Sequence, residues 1–182
     1  SVSWGDYNND GYPDLFLGGV GFNYLYINNG NDTFTDVTQE SGIEKFCLTC
    51  TTTHALWWDY DKDGYLDLYL SEYTNLPNKL YKNNKDGTFQ LVEHLGISNY
   101  SAPTYSSMPL DFNNDHIPDL YVANDFRIDN FLFINTINSF DESAHTYNVS
   151  NPHNGMGLAS CDFNNDGLLI FLSLTLVETA FM

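Results

Sequence analysis

Along most of the chain, apolar residues come in short runs separated by clusters of Asn, Asp, Gly and Pro. Leu15-Phe16-Leu17, Leu68-Tyr69-Leu70 and Leu120-Tyr121-Val122 are apolar at consecutive positions, so both faces of those segments are expected to be covered. Each is followed by a second run: Tyr24-Leu25-Tyr26-Ile27, Lys79-Leu80-Tyr81-Lys82 and Phe131-Leu132-Phe133-Ile134. These begin after one Asn (Asn23, Asn78, Asn130) and end at another (Asn28, Asn83, Asn135). Aromatic and branched runs bounded by turn residues predict β-strands. A strand also precedes the first run, at Val2-Ser3-Trp4 and Ala55-Leu56-Trp57-Trp58. A fourth strand is predicted at Thr33-Phe34-Thr35-Asp36-Val37 and Thr88-Phe89-Gln90-Leu91-Val92, and faintly around Ser139-Phe140-Asp141. Asn29-Gly30-Asn31-Asp32 and Asn84-Lys85-Asp86-Gly87 supply the positive-φ residues that hairpin turns need.

One period is therefore four antiparallel strands plus a linker such as Ser41-Gly42-Ile43 or Leu95-Gly96-Ile97. A repeated four-stranded unit of about 50 residues predicts the blades of a β-propeller. The fold class expected is all-β, with repeats over residues 1–45, 53–98, 105–148 and an incomplete 155–182. An open solenoid is the rival architecture. Propellers close with about four to eight blades. These three and a half blades are thus expected to belong to a larger ring, the alternative being partners that cover the two open ends.

Between the first and second strands of each period lies an acidic nonapeptide. The copies start at Asp6, Asp59, Asp111 and Asp162, spaced 53, 52 and 51 residues apart. Oxygen side chains at positions 1, 3 and 5 of a tight turn converge, and clustered hard oxygens suit Ca²⁺. The ligands expected in the first loop are Asp6, Asn8 and Asp10, with the carbonyl of Tyr12 and the carboxylate of Asp14. In the second they are Asp59, Asp61, Asp63, Tyr65 and Asp67; in the third, Asp111, Asn113, Asp115, Ile117 and Asp119. The fourth keeps Asp162, Asn164, Asp166 and the Leu168 carbonyl but has Ile170 at position 9. An EF-hand is excluded, because position 12 is Leu17, Leu70, Val122 or Ser173 where a Glu is required. With four carboxylates the second loop is expected to bind best, then the first, then the third, where His116 replaces Gly, then the fourth. The tail over residues 174–182 matches nothing in the repeat.

The net charge of -18 makes nucleic acid and anionic membrane surfaces poor partners. Twelve of the 24 acids lie in the four loops, so the acidity is that of sites rather than of a disordered tail. No run reaches the roughly 18 apolar residues of a membrane span. Cys47 and Cys50 fall in a Thr-rich linker between the first two repeats. They read as a local disulfide, as free thiols, or as a redox or zinc pair, for which further ligands are scarce. An oxidising compartment favours the disulfide. Cys161 is expected to be a buried strand residue.

The blade pattern, with Pro118-Asp119-Leu120-Tyr121-Val122-Ala123-Asn124-Asp125 and Gly155-Met156-Gly157-Leu158-Ala159, resembles the FG-GAP/VCBS repeats of integrin-α-type propellers. It looks closest to the cartilage-acidic-protein-like branch. The resemblance implies a secreted, calcium-stabilised propeller used for adhesion or extracellular interaction, with a protein or glycan as partner. An enzyme is the first rival, though no H-E-x-x-H or G-x-S-x-G is present and His54, His94, His116, His145 and His153 sit at unrelated repeat positions. A glycan-binding propeller is the second, with Tyr73, Tyr100 and Tyr105 as candidate stacking residues. Sequons at Asn31, Asn99 and Asn148 fit secretion.

Overall fold

A computed structural model describes residues 1–74, 76–152, 154–162, 164 and 170–176. The first blade is β1 (Val2–Gly5), β2 (Asp14–Gly18), β3 (Val20–Asn28) and β4 (Phe34–Asp36); the second is β5 (Phe46–Trp58), β6 (Asp67–Glu72), β7 (Lys79–Asn83) and β8 (Phe89–Val92). The third is β9 (Thr104–Leu110), β10 (Asp119–Asn124), β11 (Phe131–Asn135) and β12 (Phe140–Glu142), and β13 (Asn154–Cys161) with β14 (Ile170–Leu176) opens a fourth. Every strand pair is antiparallel, in registers such as Trp4↔Leu15, Trp57↔Leu68 and Leu110↔Asp119. Among the described residues one 3-10 turn, Ile97–Asn99, lies between the second and third blades. No described helix is long and apolar enough to cross a membrane.

The unbroken apolar runs of the second strands are explained by packing on both faces. All six residues of β6 and of β10 are buried. Leu68 and Leu70 turn toward the first blade, against Tyr7, Phe16 and Leu25. Tyr69, on the opposite face, joins Leu120, Val122 and Phe133 of the third. Successive first strands β1, β5, β9 and β13 touch one another, as the inner strands of radiating blades do. The face of the first blade that looks away from the second is uncovered. Trp4 is 55% exposed there, whereas Trp57, its repeat equivalent, packs in the seam between the first two blades.

The linkers are structural. Ser41 accepts the Phe89 amide at 2.7 Å and Leu95 accepts that of Phe140 at 2.7 Å, so each linker is tied to the fourth strand of the next blade. Gly42 and Gly96 make this approach possible. Their φ values are 78° and 94°, and an added Cβ would lie 2.7 Å from the Phe89 carbonyl or 2.8 Å from that of Phe140. Gly96→Ala should therefore cost more than about 1 kcal/mol through positive φ alone. Urea denaturation should show a lower midpoint with an unchanged slope.

Two sequence expectations are corrected. Cys47 and Cys50 do not lie in a linker outside the sheet but within β5, which starts seven residues before the expected repeat boundary at residue 53. Phe46 pairs with Phe22 and Thr51 with Val20, so residues 47–50 bulge from the ladder and the Cys47–Cys50 disulfide pinches the bulge closed. This pairing joins the sheets of the first two blades into one. Cys161 is in a strand as expected but is exposed, not buried. Its repeat equivalents Trp58 and Leu110 are covered by the following blade, and no such blade faces Cys161 among the described residues.

Candidate metal centre

Three loops fold alike because the same polar contacts close each of them. In the first, Asp6 accepts the amides of Asp10 at 3.0 Å and Gly11 at 2.9 Å, while Asp10 accepts that of Tyr12 at 2.9 Å. The second repeats this with Asp59 accepting from Asp63 and Gly64 at 3.0 Å each, and Asp63 from Tyr65 at 3.1 Å. In the third, Asp111 accepts from Asp115 and His116, both at 3.0 Å, and Asp115 from Ile117 at 2.8 Å. His116 adopts φ 67°, close to the 89° and 88° of Gly11 and Gly64, so the substitution is accommodated without changing the turn. Asn8 and Asn113 at position 3 each accept the position-5 amide at 3.0 Å.

The ninth residue is the anchor. Asp14, Asp67 and Asp119 each open a second strand and are fully buried. One carboxylate oxygen accepts the amide at position 2 (Tyr7, Tyr60, Phe112), and the other accepts the amide of Asn28, Asn83 or Asn135 at the end of the third strand. Burial pushes the Asp14 carboxyl up to about 6 and that of Asp67 up to about 7, against the lowering effect of these amides. Burial raises Asp119 as well. A buried carboxylate kept ionised at neutral pH calls for a nearby cation.

The residues fit a hard divalent cation. Asp59, Asp61 and Asp67 each offer an oxygen within 4.8 Å of the others. Asp61 Oδ1 is buried with no hydrogen-bond partner, an orphan that a metal would satisfy. Each carboxylate oxygen that accepts one amide keeps a second lone pair for coordination. In the fourth loop Asp162 and Asn164 are placed at the end of β13, and Asp166 and Leu168 lie outside the described residues.

The third-strand asparagines do more than their sequence role as strand boundaries suggested. The Asn83 side-chain amide donates to the Leu66 carbonyl of its own loop at 3.0 Å and to the Tyr7 carbonyl of the preceding loop at 2.8 Å. Asn135 does the same to Pro118 at 3.0 Å and Tyr60 at 2.7 Å. The loops are also laced directly, position 4 to position 6: Asn9 reaches the Gly64 carbonyl at 3.0 Å and Lys62 the His116 carbonyl at 2.9 Å. The recurrence of Asn at one repeat position was the available signal.

The remaining candidates sort by environment. Tyr100 packs on Phe131 and Phe133 and serves the blade seam. Tyr73 and Tyr105 form an edge contact, with Phe126 against Tyr73 and the Tyr73 hydroxyl donating to Asp125 at 2.6 Å. His54 lies 3.1 Å from Ser107, whose side chain is buried between inner strands. His145 bridges Asp129 at 3.1 Å and Ser150 at 3.0 Å, an acid–base–hydroxyl chain. Its side chain is 72% exposed, however, and water at that exposure leaves these contacts at surface strength.

Stacked four-stranded blades whose hairpins carry acidic turns define a segment of a repeat-built β-propeller. The chain belongs to the FG-GAP-like repeat family, whose profile matches residues 6–70, 59–122 and 111–169. That match is to the repeat and assigns no branch such as the cartilage-acidic-protein-like one. No curated protein matches the chain.

Proposed function

We propose that this is a non-enzymatic, calcium-binding propeller module, in which Ca²⁺ holds the inter-strand loops and the blades present a recognition surface outside the cell. The observation that carries the reading is the triply repeated, fully buried ninth carboxylate beside converging acidic side chains. A shell supplied by side chains at positions 1, 3, 5 and 9 and a carbonyl at position 7 leaves little room for substrate, so the ion acts as scaffold. Extracellular calcium modules commonly bind at about 10⁻⁴–10⁻³ M, and the Cys47–Cys50 bridge supports an oxidising compartment. The partner class is an extracellular protein, and further blades of the same kind are expected on the uncovered face of the first blade.

Calorimetric titration with CaCl₂ tests the reading. Asp10→Ala should remove one calcium from the stoichiometry, and Asp115→Ala another, with no loss of a turnover reaction. Calcium-dependent cleavage of a polysaccharide that disappears in folded Asp10→Ala would overturn the non-enzymatic assignment. A glycan partner is favoured by one feature, the Tyr73, Tyr105 and Phe126 cluster beside Asp125. There Phe126 is 65% exposed, and Phe126 and Arg127 have consecutive positive φ values of 55° and 60°. Saturable binding on a glycan array, lost in Phe126→Ala, would select that reading.

A further inference from the structure

The second loop differs from its neighbours in both signs of charge. It alone has an acid at position 3, Asp61, where the first and third loops have Asn8 and Asn113. Among the described loops it alone also has lysines paired with its carboxylates. Lys82 of β7 forms an ion pair with Asp61 and lies 3.4 Å from Asp63; Lys85, in the following turn, lies 3.1 Å from Asp63. The repeat equivalents of Lys82 are Ile27 and Ile134, both partly buried against apolar clusters, and those of Lys85 are Gly30 and Ile137. Both lysines are partly exposed, at 36% and 44% of the side chain, but both are held by ring contacts. Lys82 lies over the Tyr60 ring at 5.6 Å and Lys85 over that of Tyr65 at 5.2 Å, so the loop's own aromatics hold both ammonium groups over the carboxylates. The carboxylates they meet are largely shielded, with Asp61 and Asp63 side chains 12% and 18% exposed.

We propose that Lys82, seconded by Lys85, is the resident counter-cation of the second loop, which therefore closes without metal and takes up Ca²⁺ only by displacing the Lys82 ammonium. The proposal rests on the reading of these loops as calcium sites. Its charge logic is simple. The first and third loops present three carboxylates each with no lysine ion-paired to them, Lys62 meeting only a carbonyl of the third, so a bound cation is what relieves their repulsion. The second presents four carboxylates against two ammonium groups, and an arriving Ca²⁺ meets like charges already within contact distance of its ligands. The extra acid does not strengthen metal binding; it pairs with the extra bases. The affinity order expected from counting carboxylates is thereby inverted for this loop: the first and third loops fill first, and the second fills after them. Lys62 takes no part, because its ammonium reaches the His116 carbonyl of the next loop.

The experiment is a CaCl₂ titration of the whole chain by calorimetry, on the wild type and on Lys82→Ile, which installs the residue the other two blades carry. Over the three described loops the wild type should show two tight sites and a weaker one, and Asp63→Asn should abolish that weaker one while leaving the two tight ones. Lys82→Ile should tighten that site at least about tenfold. In chelator, the same variant should melt below the wild type, because four carboxylates then lose their counter-cation. Lys82→Gln, which keeps the stem but not the charge, should behave as Lys82→Ile does and covers the case in which Ile fails to pack. Calcium uptake at the first and third loops with identical isotherms in wild type, Lys82→Ile and Lys82→Gln would overturn this inference alone. Absence of uptake at every loop in every protein would overturn the calcium reading and this inference with it.

Discussion

Chelation should lower the melting temperature on the order of 10–30 °C, with Ca²⁺ restoring it and Mg²⁺ restoring little. Each loop that binds only in the native state adds about 2.7 kcal/mol at a hundredfold excess of calcium over Kd. Two or three such loops sum to about 5–8 kcal/mol, and a chain of this size shifts about 2–4 °C per kcal/mol. Mg²⁺ demands a tighter octahedral shell and sheds water reluctantly, which suits the carbonyl-and-carboxylate turn poorly. The effect should also depend on pH. Burial raises Asp14 to about 6 and Asp67 to about 7 in the metal-free fold, above the ordinary unfolded value of about 3.9. The folded state then holds these protons more tightly than the unfolded state does. That contribution is fully present below about pH 4 and is lost as pH rises through the folded values. Metal-free protein should therefore lose stability from these groups between about pH 4 and 7, and chelation should cost less at pH 5.5 than at pH 7.5. Coincident melting curves with and without chelator at pH 7.5 would remove the scaffold role of calcium.

Asn135→Ala should destabilise by about 3–5 kcal/mol. Its side chain is fully buried and makes three contacts, to the Tyr60 carbonyl, the Pro118 carbonyl and the Ile137 amide. Truncation leaves each of those backbone groups short of a partner, at about 1–3 kcal/mol apiece where no water enters. Asn135→Asp should be at least as damaging, since a carboxylate would face two carbonyl oxygens where an amide donated. Asn28→Ala is the internal control. Its side-chain amide donates to Pro13 of its own loop in an exposed setting, and its oxygen accepts the Gly30 amide, so a loss of about 1 kcal/mol or less is expected. Equal urea midpoints for Asn135→Ala and Asn28→Ala would show that the inter-blade bond to Tyr60 contributes nothing.

Much of this architecture was legible in the sequence because it repeats. The apolar runs that start at Leu15, Leu68 and Leu120 predict the second strands, and each strand begins one residue earlier, at Asp14, Asp67 or Asp119. His116 stands where the other loops have Gly, and it takes up the same left-handed conformation, with φ 67°. What escaped lies where the copies diverge or where a contact crosses between copies. Residues 46–52 have no counterpart in the other linkers, so nothing in the period announced that they extend β5 and pair with Val20–Phe22. The Asn83 and Asn135 amides were visible as a recurring letter, but their second acceptor belongs to another blade, which spacing within one period does not reveal. Lys82 and Lys85 were hidden for a different reason. Counting acids in the second loop left out bases lying 15 or more residues away that the β6–β7 hairpin folds back onto it. The strand pattern alone places Cys161 inside, whereas its exposure depends on whether a neighbouring blade covers it.

The lacing of the loops has a consequence for how such chains change in length. Asn9 to Gly64 and Lys62 to His116 join position 4 of one repeat to position 6 of the next, and Asn83 to Tyr7 and Asn135 to Tyr60 join one fixed repeat position to another in the reverse direction. Each seam is thus heterologous, with a donor side and an acceptor side that are the same in every unit. Duplicating or deleting a whole repeat presents the same donor side to the same acceptor side and preserves these loop-to-loop bonds. Gaining or losing a few residues between positions 4 and 6 of the second loop breaks two seams at once. Variation by entire blades is cheap in this grammar, and variation inside the acidic turn is not.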